Sequence, residues 1–320
     1  MDSLPWGRPA RADAEIGHPA LQGITMRAGA AIAKRTLKSF YDDQMTHHAA
    51  ALTYYSLMSL FPALLLALSL LGLIGQYPAT YDAILGYLRD VVPQSLLEPL
   101  DHSLRGALRA KGTAATTLAI SALLALYGTT GVLEAARRAL NVVFEVSRGR
   151  SFVRRKLIDI GSTAVLMTLI LVSLVLAFIG GRLAEDLLGF VGLGHDVARV
   201  WNLARWPAAI AIAMLVFSFI YYVTPDVQHR AFHWITPGAV VAVVVWIGAS
   251  FGFSVYLSRL ADVGAVYGAF AGAIVLVGWL WLTNVAMLFG AEVNAEIERE
   301  KELREGTAER DTLNRPARSA

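Results

Sequence analysis

The chain has 320 residues, of which 56% are hydrophobic and 17% are charged, and its mean hydropathy is +0.51. A soluble domain needs a more polar surface, so this composition excludes that class and indicates a membrane protein with several spans. The chain has no cysteine, which excludes disulfides and thiolate sites, and its net charge of +3 first suggests basic loops held on the cytoplasmic side of a membrane.

Residues 1–44 form a predicted cytoplasmic segment. Residues 1–25 show no sustained hydrophobic period, whereas residues 26–41 place four basic side chains among Ile32, Leu37 and Phe40. This pattern is typical of an amphipathic helix that lies at the inner membrane surface.

Residues 45–290 form the predicted all-α transmembrane domain. Six runs without Asp, Glu, Lys or Arg lie within it, and each is long enough to cross a hydrocarbon core of roughly 30 Å as a helix. The runs cover residues 49–75, 112–133, 160–181, 206–224, 234–257 and 266–290.

The loop between the first two runs contains two short helical patterns separated by Pro93. We expect two short amphipathic helices in this first outward loop. They would either cover an outward cavity as a lid or pack at the membrane interface.

The distribution of Lys and Arg predicts the orientation. With six crossings and an inside amino terminus, 20 of the 28 basic residues lie on the cytoplasmic side. The positive-inside bias therefore places both termini in the cytoplasm, with residues 291–320 forming a cytoplasmic helix and tail.

A polar seam runs along the first span. His48, Tyr55, Ser59 and Pro62 recur at spacings of three, four or seven residues, which places them on one helical face. Pro62 should kink the helix and so change its packing. The seam either lines a cavity or makes the hydrogen bonds between helices that are common in membranes.

Acidic and imidazole side chains meet at the start of the same span. Asp42, Asp43, His47 and His48 offer donor types that bind metals. Such residues at a membrane boundary more often are solvated or cap a helix, so we expect neither a metal nor any other cofactor.

The segment 134–156 is the most basic part of the chain and contains two phenylalanines. Basic residues interleaved with aromatics could bind RNA, but they equally suit the surface of an anionic bilayer. We predict anionic lipid and no nucleic acid as the partner. The residues of this surface are Arg148, Arg150, Arg154, Arg155 and Lys156.

Glycines recur every four residues in the last two spans, a spacing that lets helices approach closely. The predicted packing positions are Gly248, Gly252, Gly264, Gly268 and Gly272. Asn284 lies deep in the last span and needs a partner, so we expect it to face the bundle or a wet cavity, with Glu292 beyond it.

Four blocks of the chain together resemble the YihY/BrkB family of bacterial inner-membrane proteins, formerly mislabelled ribonuclease BN. The blocks are HHAAALTYYSLMSLFPALLL, ALNVVFEVSRGRSFVRRK, YYVTPDVQHRAFHWITPGAVVAVVVW and YGAFAGAIVLVGWLWLTNVAMLFGAEVNAEIE. The resemblance implies a six-helix, multi-pass inner-membrane protein described as a transporter or permease, with no agreed substrate and no established catalytic residues.

The leading hypothesis is a transporter, permease or lipid flippase with a pathway between the first and last spans. Its polar contacts would be His48, Tyr55, Ser59, Asn284 and Glu292. The alternatives are a structural scaffold of the cell envelope that transports nothing and an intramembrane enzyme that uses the Asp/His group. We expect no ribonuclease activity, because the residues form no acidic cluster suited to two metals. No feature identifies the substrate or the oligomeric state.

Overall fold

The computed structural model describes residues 26–74, 114–146, 152–178, 195–227, 234–259 and 270–305, together with Leu85, Asp101 and Arg105. The described residues form seven α-helices, which confirms the predicted all-α fold class. They are α1 (Met26–Asp42), α2 (Met45–Ile74), α3 (Ala114–Val143), α4 (Phe152–Phe178), α5 (His195–Val223), α6 (Pro237–Arg259) and α7 (Phe270–Glu305).

Three segments of the described part are long and apolar enough to cross a membrane: Leu203–Val223, Pro237–Arg259 and Gly272–Leu303. They correspond to the last three predicted spans. The first three predicted spans fall on α2, α3 and α4, which contain 30, 30 and 27 residues. Six crossings and the sidedness of the termini stay predictions. The two short helices predicted in the first loop lie outside the described residues.

Helices α2 to α7 pack as a ring in chain order. Each helix contacts the next, α7 closes the ring against α2, and α1 lies against α7 and α2. Contacts join Arg137 of α3 to Asp159 of α4 and Gly238 of α6 to Asn294 of α7, and Glu145 after α3 also contacts Arg299 of α7. The starts of α2, α4 and α6 therefore lie beside the later parts of α3, α5 and α7, and we call this the polar end of the bundle.

The buried core lies at the polar end and is rich in small side chains. Met45, Ala49 and Leu52 of α2 pack there with Ala139 and Leu140 of α3 in one cluster. Elsewhere, large apolar side chains are exposed: the exposed fractions are 68% for Leu123, 78% for Leu203 and 72% for Phe251. Large apolar side chains left exposed on long apolar helices suit contact with lipid.

Two glycines let α6 and α7 cross with their backbones in contact. A Cβ atom on Gly238 would overlap the carbonyl oxygen of Gly290, and a Cβ atom on Gly290 would overlap that of Gly238. The hydroxyl oxygen of Tyr221 from α5 lies 2.6 Å from the same Cβ position on Gly290, and it donates to the carbonyl oxygen of Met287 at 2.5 Å. Only glycine fits at this crossing.

The predicted packing glycines lie elsewhere. A Cβ atom on Gly248, Gly252 or Gly272 would meet no atom of the described residues within 4 Å, so none of the three makes a close contact with another described helix. Gly264 and Gly268 lie outside the described residues. Four-residue spacing marks a face on which a helix can approach, but it does not place a helix there.

The start of α6 is held by the side chain of Thr236, which precedes the helix, and by one side chain each from α5 and α7. The hydroxyl oxygen of Thr236 accepts the Ala239 N–H at 3.2 Å, and Pro237 occupies the first helical position. Asn294 of α7 donates to the same hydroxyl at 3.0 Å and accepts the Gly238 N–H at 2.8 Å. The Thr236 N–H donates to the hydroxyl of Ser218 in α5 at 3.0 Å. These bonds join α5, α6 and α7 at the polar end.

A buried ion network joins α3, α4 and the end of α5. Arg137 donates to the Asp159 carboxylate, and its Nε lies 4.0 Å from Oδ1 of Asp226. The side-chain amide of Asn141 donates to Oδ2 of Asp226 at 3.2 Å and accepts the Asp226 N–H at 2.9 Å. All three charged side chains are buried, so each depends on its partners for neutralisation.

We expect Gly290→Ala to lower the free energy of unfolding by about 1–3 kcal/mol, because the added methyl group overlaps the α6 backbone. Gly272→Ala is the matched control: its methyl group enters open space, and alanine favours the helix by up to about 1 kcal/mol. Thermal unfolding of the purified protein in detergent measures both variants. Equal unfolding temperatures would contradict the close crossing.

We expect Arg137→Met to destabilise the protein by about 3–5 kcal/mol, because the buried Asp159 carboxylate loses its ion-pair partner. Arg138→Met changes the next residue, which is exposed and pairs with Glu134 at 3.1 Å, and should cost at most about 1 kcal/mol. The same unfolding experiment compares them. If Asp159→Asn does not recover part of the loss in the Arg137→Met background, the unpaired charge is not its cause.

Candidate functional site

The candidate site is the interface between α2 and α7 at the polar end. Asn284 is 8% exposed, and its side-chain amide donates to the hydroxyl of Thr53 at 3.1 Å. The Thr53 hydroxyl in turn donates to the Ala49 carbonyl oxygen at 2.7 Å. Asn284 thus lies inside the bundle, where its amide has a partner that lipid could not supply.

The polar seam predicted along α2 does not face this interface as one unit. Tyr55 is 40% exposed, and its ring lies against Gly131 of α3. Ser59 lies against Gly128 of α3, and its hydroxyl donates to the Ser56 carbonyl oxygen at 2.9 Å. The structure therefore corrects the grouping of Tyr55 and Ser59 with Asn284.

The physical reason is the helical period. Thr53 and Tyr55 are two residues apart and so point about 200° apart around the helix. Because α2 packs between α3 and α7, these two residues serve different interfaces. Helix α2 continues through Pro62 to Ile74, and the proline side chain lies outside the described part.

The link between α1 and α2 is a two-residue turn that positions Asp43. Gln44 has a φ of 53°, a left-handed conformation that reverses the chain direction locally. The Asp43 N–H donates to the Ser39 carbonyl oxygen at 2.8 Å, and the Gln44 N–H donates to that of Tyr41 at 3.1 Å. Asp43 is consequently held at the start of α2, next to the half-buried His48.

A cluster of carboxylates on α7 faces α1. Glu296 is 1% exposed and accepts from Arg35 Nε at 2.9 Å, from Arg299 at 2.8 Å and from the Ser39 hydroxyl at 3.1 Å. Glu300 accepts from Arg35 Nη2 at 2.7 Å. The single guanidinium of Arg35 therefore bridges two carboxylates one turn apart on α7 and fastens α1 to it.

Glu145 brings the end of α3 to the same cluster. The Val146 N–H donates to the Asn141 carbonyl oxygen at 2.8 Å and the Glu145 N–H to that of Val142 at 3.0 Å, which is the hydrogen-bond pattern of a Schellman cap. Glu145 occupies the left-handed position that glycine favours, with a φ of 53°. Its carboxylate accepts from Arg299 at 2.6 Å, which offsets a backbone cost of roughly 1–2 kcal/mol.

Glu292 differs from Glu296 in its surroundings although both are 1% exposed. No donor in the part of the chain that the structure describes bonds to its Oε1, and the carboxyl group faces that of Asp43 within hydrogen-bonding reach. Burial raises the pKa of Asp43, and the negative charges of Glu145 and Asp42 raise it further. Among the described residues, no group of three or more His, Cys, Asp or Glu could hold a metal ion.

The sequence reading missed most of this cluster. Arg35, Ser39, Glu296, Arg299 and Glu300 were not among the predicted site residues. A signal was present: Glu292, Glu296 and Glu300 recur every four residues, as Arg35 and Ser39 do on the helix that packs against them. Matching stripes of carboxylates and their donors on two helices indicate an interhelical ion network.

The predicted lipid surface is described only in part. Nη1 of Arg155 lies 3.7 Å from Oε1 of Glu134 on α3, and Lys156 is exposed. Arg148, Arg150 and the side chain of Arg154 lie outside the described residues. Within the described part, Arg155 therefore contributes to an ion pair as well as to the predicted surface.

Comparisons with known proteins bear on the identity of the chain. The family model described as virulence factor BrkB matches residues 36–314. The ribonuclease-like protein YfkH of Bacillus subtilis is 33% identical over 258 residues, which cover 80% of this chain and 90% of YfkH. No solved structure matches.

Other relatives carry membrane-protein names. The UPF0761 membrane protein PSHAa0171 of Pseudoalteromonas translucida is 27% identical over 85% of this chain and 90% of its own length. A UPF0761 membrane protein of Halorhodospira halophila is 25% identical over 80% of this chain, but the match spans only about half of that relative, 55% of its length. The family match covers most of the chain, and the relatives agree with it. The chain belongs to the BrkB family of membrane proteins.

Proposed function

We propose that this protein is a transporter, permease or lipid flippase of the bacterial inner membrane, with its pathway between α2 and α7. One observation carries this proposal most directly. Glu292 is buried in an apolar helix bundle, and one of its carboxyl oxygens has no hydrogen-bond donor among the described residues. Burying an ionisable group in a membrane protein is costly, and such groups commonly mark the path of a substrate or an ion.

The arrangement along α7 supports a gated path. Asn284, Leu288 and Glu292 follow one another at four-residue intervals and so share one face of the helix. Leu288, which lies between these two polar residues along α7, is fully buried. Leu52 on α2 is fully buried as well. In the proposed mechanism these leucines close the path, and transport requires α2 and α7 to separate around them.

The proposed contacts follow from these positions. Asn284, Thr53 and Glu292 serve as polar contacts along the pathway, and His48 lies at its polar end. Tyr55 and Ser59 pack against α3 and are no longer assigned to it. The ribonuclease-like name belongs to YfkH, and we propose no enzymatic activity for this chain.

The same proposal includes an orientation. The polar end faces the cytoplasm, both termini lie there, and α7 carries its cytoplasmic part as a direct continuation of the last span. The exposed Lys156, with the basic residues around it, contacts anionic lipid at that face. The bias of lysine and arginine toward these segments supports this orientation.

We expect reporters of cytoplasmic and periplasmic location, fused after Ala320 and within residues 76–111, to give opposite compartments. The carboxyl terminus should report the cytoplasm, because the basic residues concentrate on its side of the bundle. Fusions within residues 182–194 provide a second outward position. The same compartment at all three positions would overturn the six-span arrangement.

Reconstitution tests the pathway. We expect proteoliposomes to translocate a fluorescent phospholipid or to release one of a set of entrapped labelled ions and small solutes. Asn284→Leu should reduce this flux at least about tenfold, because a buried amide is lost from the path and Thr53 loses its partner. Thr53→Val breaks the same hydrogen bond but keeps the amide, and should retain more flux.

Equal losses in the two variants would mean that Asn284 acts only through its bond to Thr53. Absence of flux for the whole probe set, with retained binding to anionic vesicles, would favour the alternative of a scaffold that transports nothing. Monodisperse behaviour of each variant in detergent is the control for folding.

A further inference from the structure

We propose that Asp43 and Glu292 hold one exchangeable proton between their carboxyl groups, so that the polar end of the α2–α7 interface is a proton-binding site. The existence of this site stands on its own geometry. Its link to transport rests on the proposed function and makes the transporter proton-coupled.

The two carboxyl groups are brought together by the backbone. The left-handed turn at Gln44 fixes Asp43 between α1 and α2, and Glu292 projects from α7, which packs against both helices. The two groups lie within hydrogen-bonding reach, and no donor among the described residues bonds to Oε1 of Glu292. Two carboxylate oxygens are both acceptors, so contact between them requires a proton.

Within the described part of the chain, no Lys or Arg forms an ion pair with Asp43 or Glu292, although the charge of Arg299 acts on both. Arg35 is bound by Glu296 and Glu300, and Arg299 is bound by Glu296 and Glu145. The two guanidinium groups thus already form ion pairs with three carboxylates, those of Glu145, Glu296 and Glu300. A net negative charge buried at this density favours protonation of one member of the remaining pair.

The groups that face the pair come from every helix packed around it. Helix α1 contributes Arg35, Lys38 and Asp42, and α2 contributes His47 and His48. Glu145 lies at the end of α3, and α7 contributes Glu296, Arg299 and Glu300. Lys38 is 4.0 Å from the carboxylate of Asp42, an exposed pair with little effect at depth. The raised pKa of Asp43, caused first by burial, agrees with a shared proton.

A proton suits this pair better than a metal ion. Sodium or a divalent cation needs about six oxygen ligands, whereas a proton needs two. The described residues around the pair offer no group of three or more carboxylates or imidazoles arranged for a metal. The ligand is therefore the proton, and sodium is left as an outcome of the test.

Release of the proton has a defined consequence. The O–H bond breaks, its electron pair stays on the carboxylate oxygen, and the proton passes to water. The buried carboxylate of Glu292 and the partly buried carboxylate of Asp43 then face each other and repel, and the repulsion acts between the α1–α2 turn and α7. Binding and release of one proton therefore bias the closure of the interface that Leu52 and Leu288 seal.

Infrared difference spectroscopy of the reconstituted full-length protein tests the site directly, because it separates the carbonyl stretch of a protonated carboxyl group from that of a carboxylate. We expect a protonated band at mildly acidic pH that disappears as the pH is raised. Glu292→Gln and Asp43→Asn should each abolish this band, because the new amide N–H donates to the remaining carboxylate. Asp42→Asn changes the adjacent, exposed carboxylate and should keep the band, which then disappears at a somewhat lower pH because one nearby negative charge is gone.

A wild-type protein with no such band, or a band that survives both Glu292→Gln and Asp43→Asn, would overturn the site. A band that sodium removes at constant pH would replace the proton by a cation and overturn it as well. If either variant does not fold, the pH titration of the wild-type band and its shift in deuterium oxide still decide the question.

The spectroscopic result does not depend on flux. A titrating band in a protein that moves no probe would support the proton site and contradict the proposed transport. Flux that is insensitive to an imposed pH gradient, in a protein without the band, would support transport and contradict the proton site.

Discussion

The cost of burying charge in an apolar bundle constrains this structure more than any other term. An unpaired ion moved from water into the bundle costs several kcal/mol, so each buried charge must find a counter-ion or lose its charge. Arg137 meets this condition with Asp159 and Asp226, and Glu296 meets it with Arg35 and Arg299. Both networks lie at the polar end, and they tie α1, α3, α4, α5 and α7 to one another there.

Close backbone packing and electrostatics reinforce each other at that end. The Gly238–Gly290 crossing brings α6 against α7, which places Asn294 at the cap of α6 and Tyr221 against the Met287 carbonyl oxygen. Each of these polar bonds is short because the glycines remove the side chains that would separate the helices. Fewer hydrogen bonds are described across the α2–α7 interface than across α6–α7, so the pathway proposed above lies at the less tightly bonded of the two interfaces of α7.

The helices and the family were predictable, because long uncharged runs and four sequence blocks each carry strong signals. The pairing of side chains was not. A spacing of three and four residues placed Tyr55 and Ser59 on a common seam, but it could not show that α3 rather than α7 packs on that side. Neither Gly238 nor Gly290 has another glycine four residues away, so no glycine repeat pointed to them. The repeated Gly248 and Gly252 meet no atom of the described residues.

The attachment of α1 to α7 determines which helix can move when the carboxyl pair is charged. Arg35 binds Glu296 and Glu300 and so holds α1 on α7. The two-residue turn that contains Gln44 connects α1 directly to the start of α2. Asp43 lies in that turn, so any force between Asp43 and Glu292 acts at the junction between α1 and α2. Because Arg35 keeps α1 on α7, repulsion there cannot simply push α1 away. It is relieved most directly by moving the start of α2 relative to α7, and this is the displacement that would free Asn284 from Thr53.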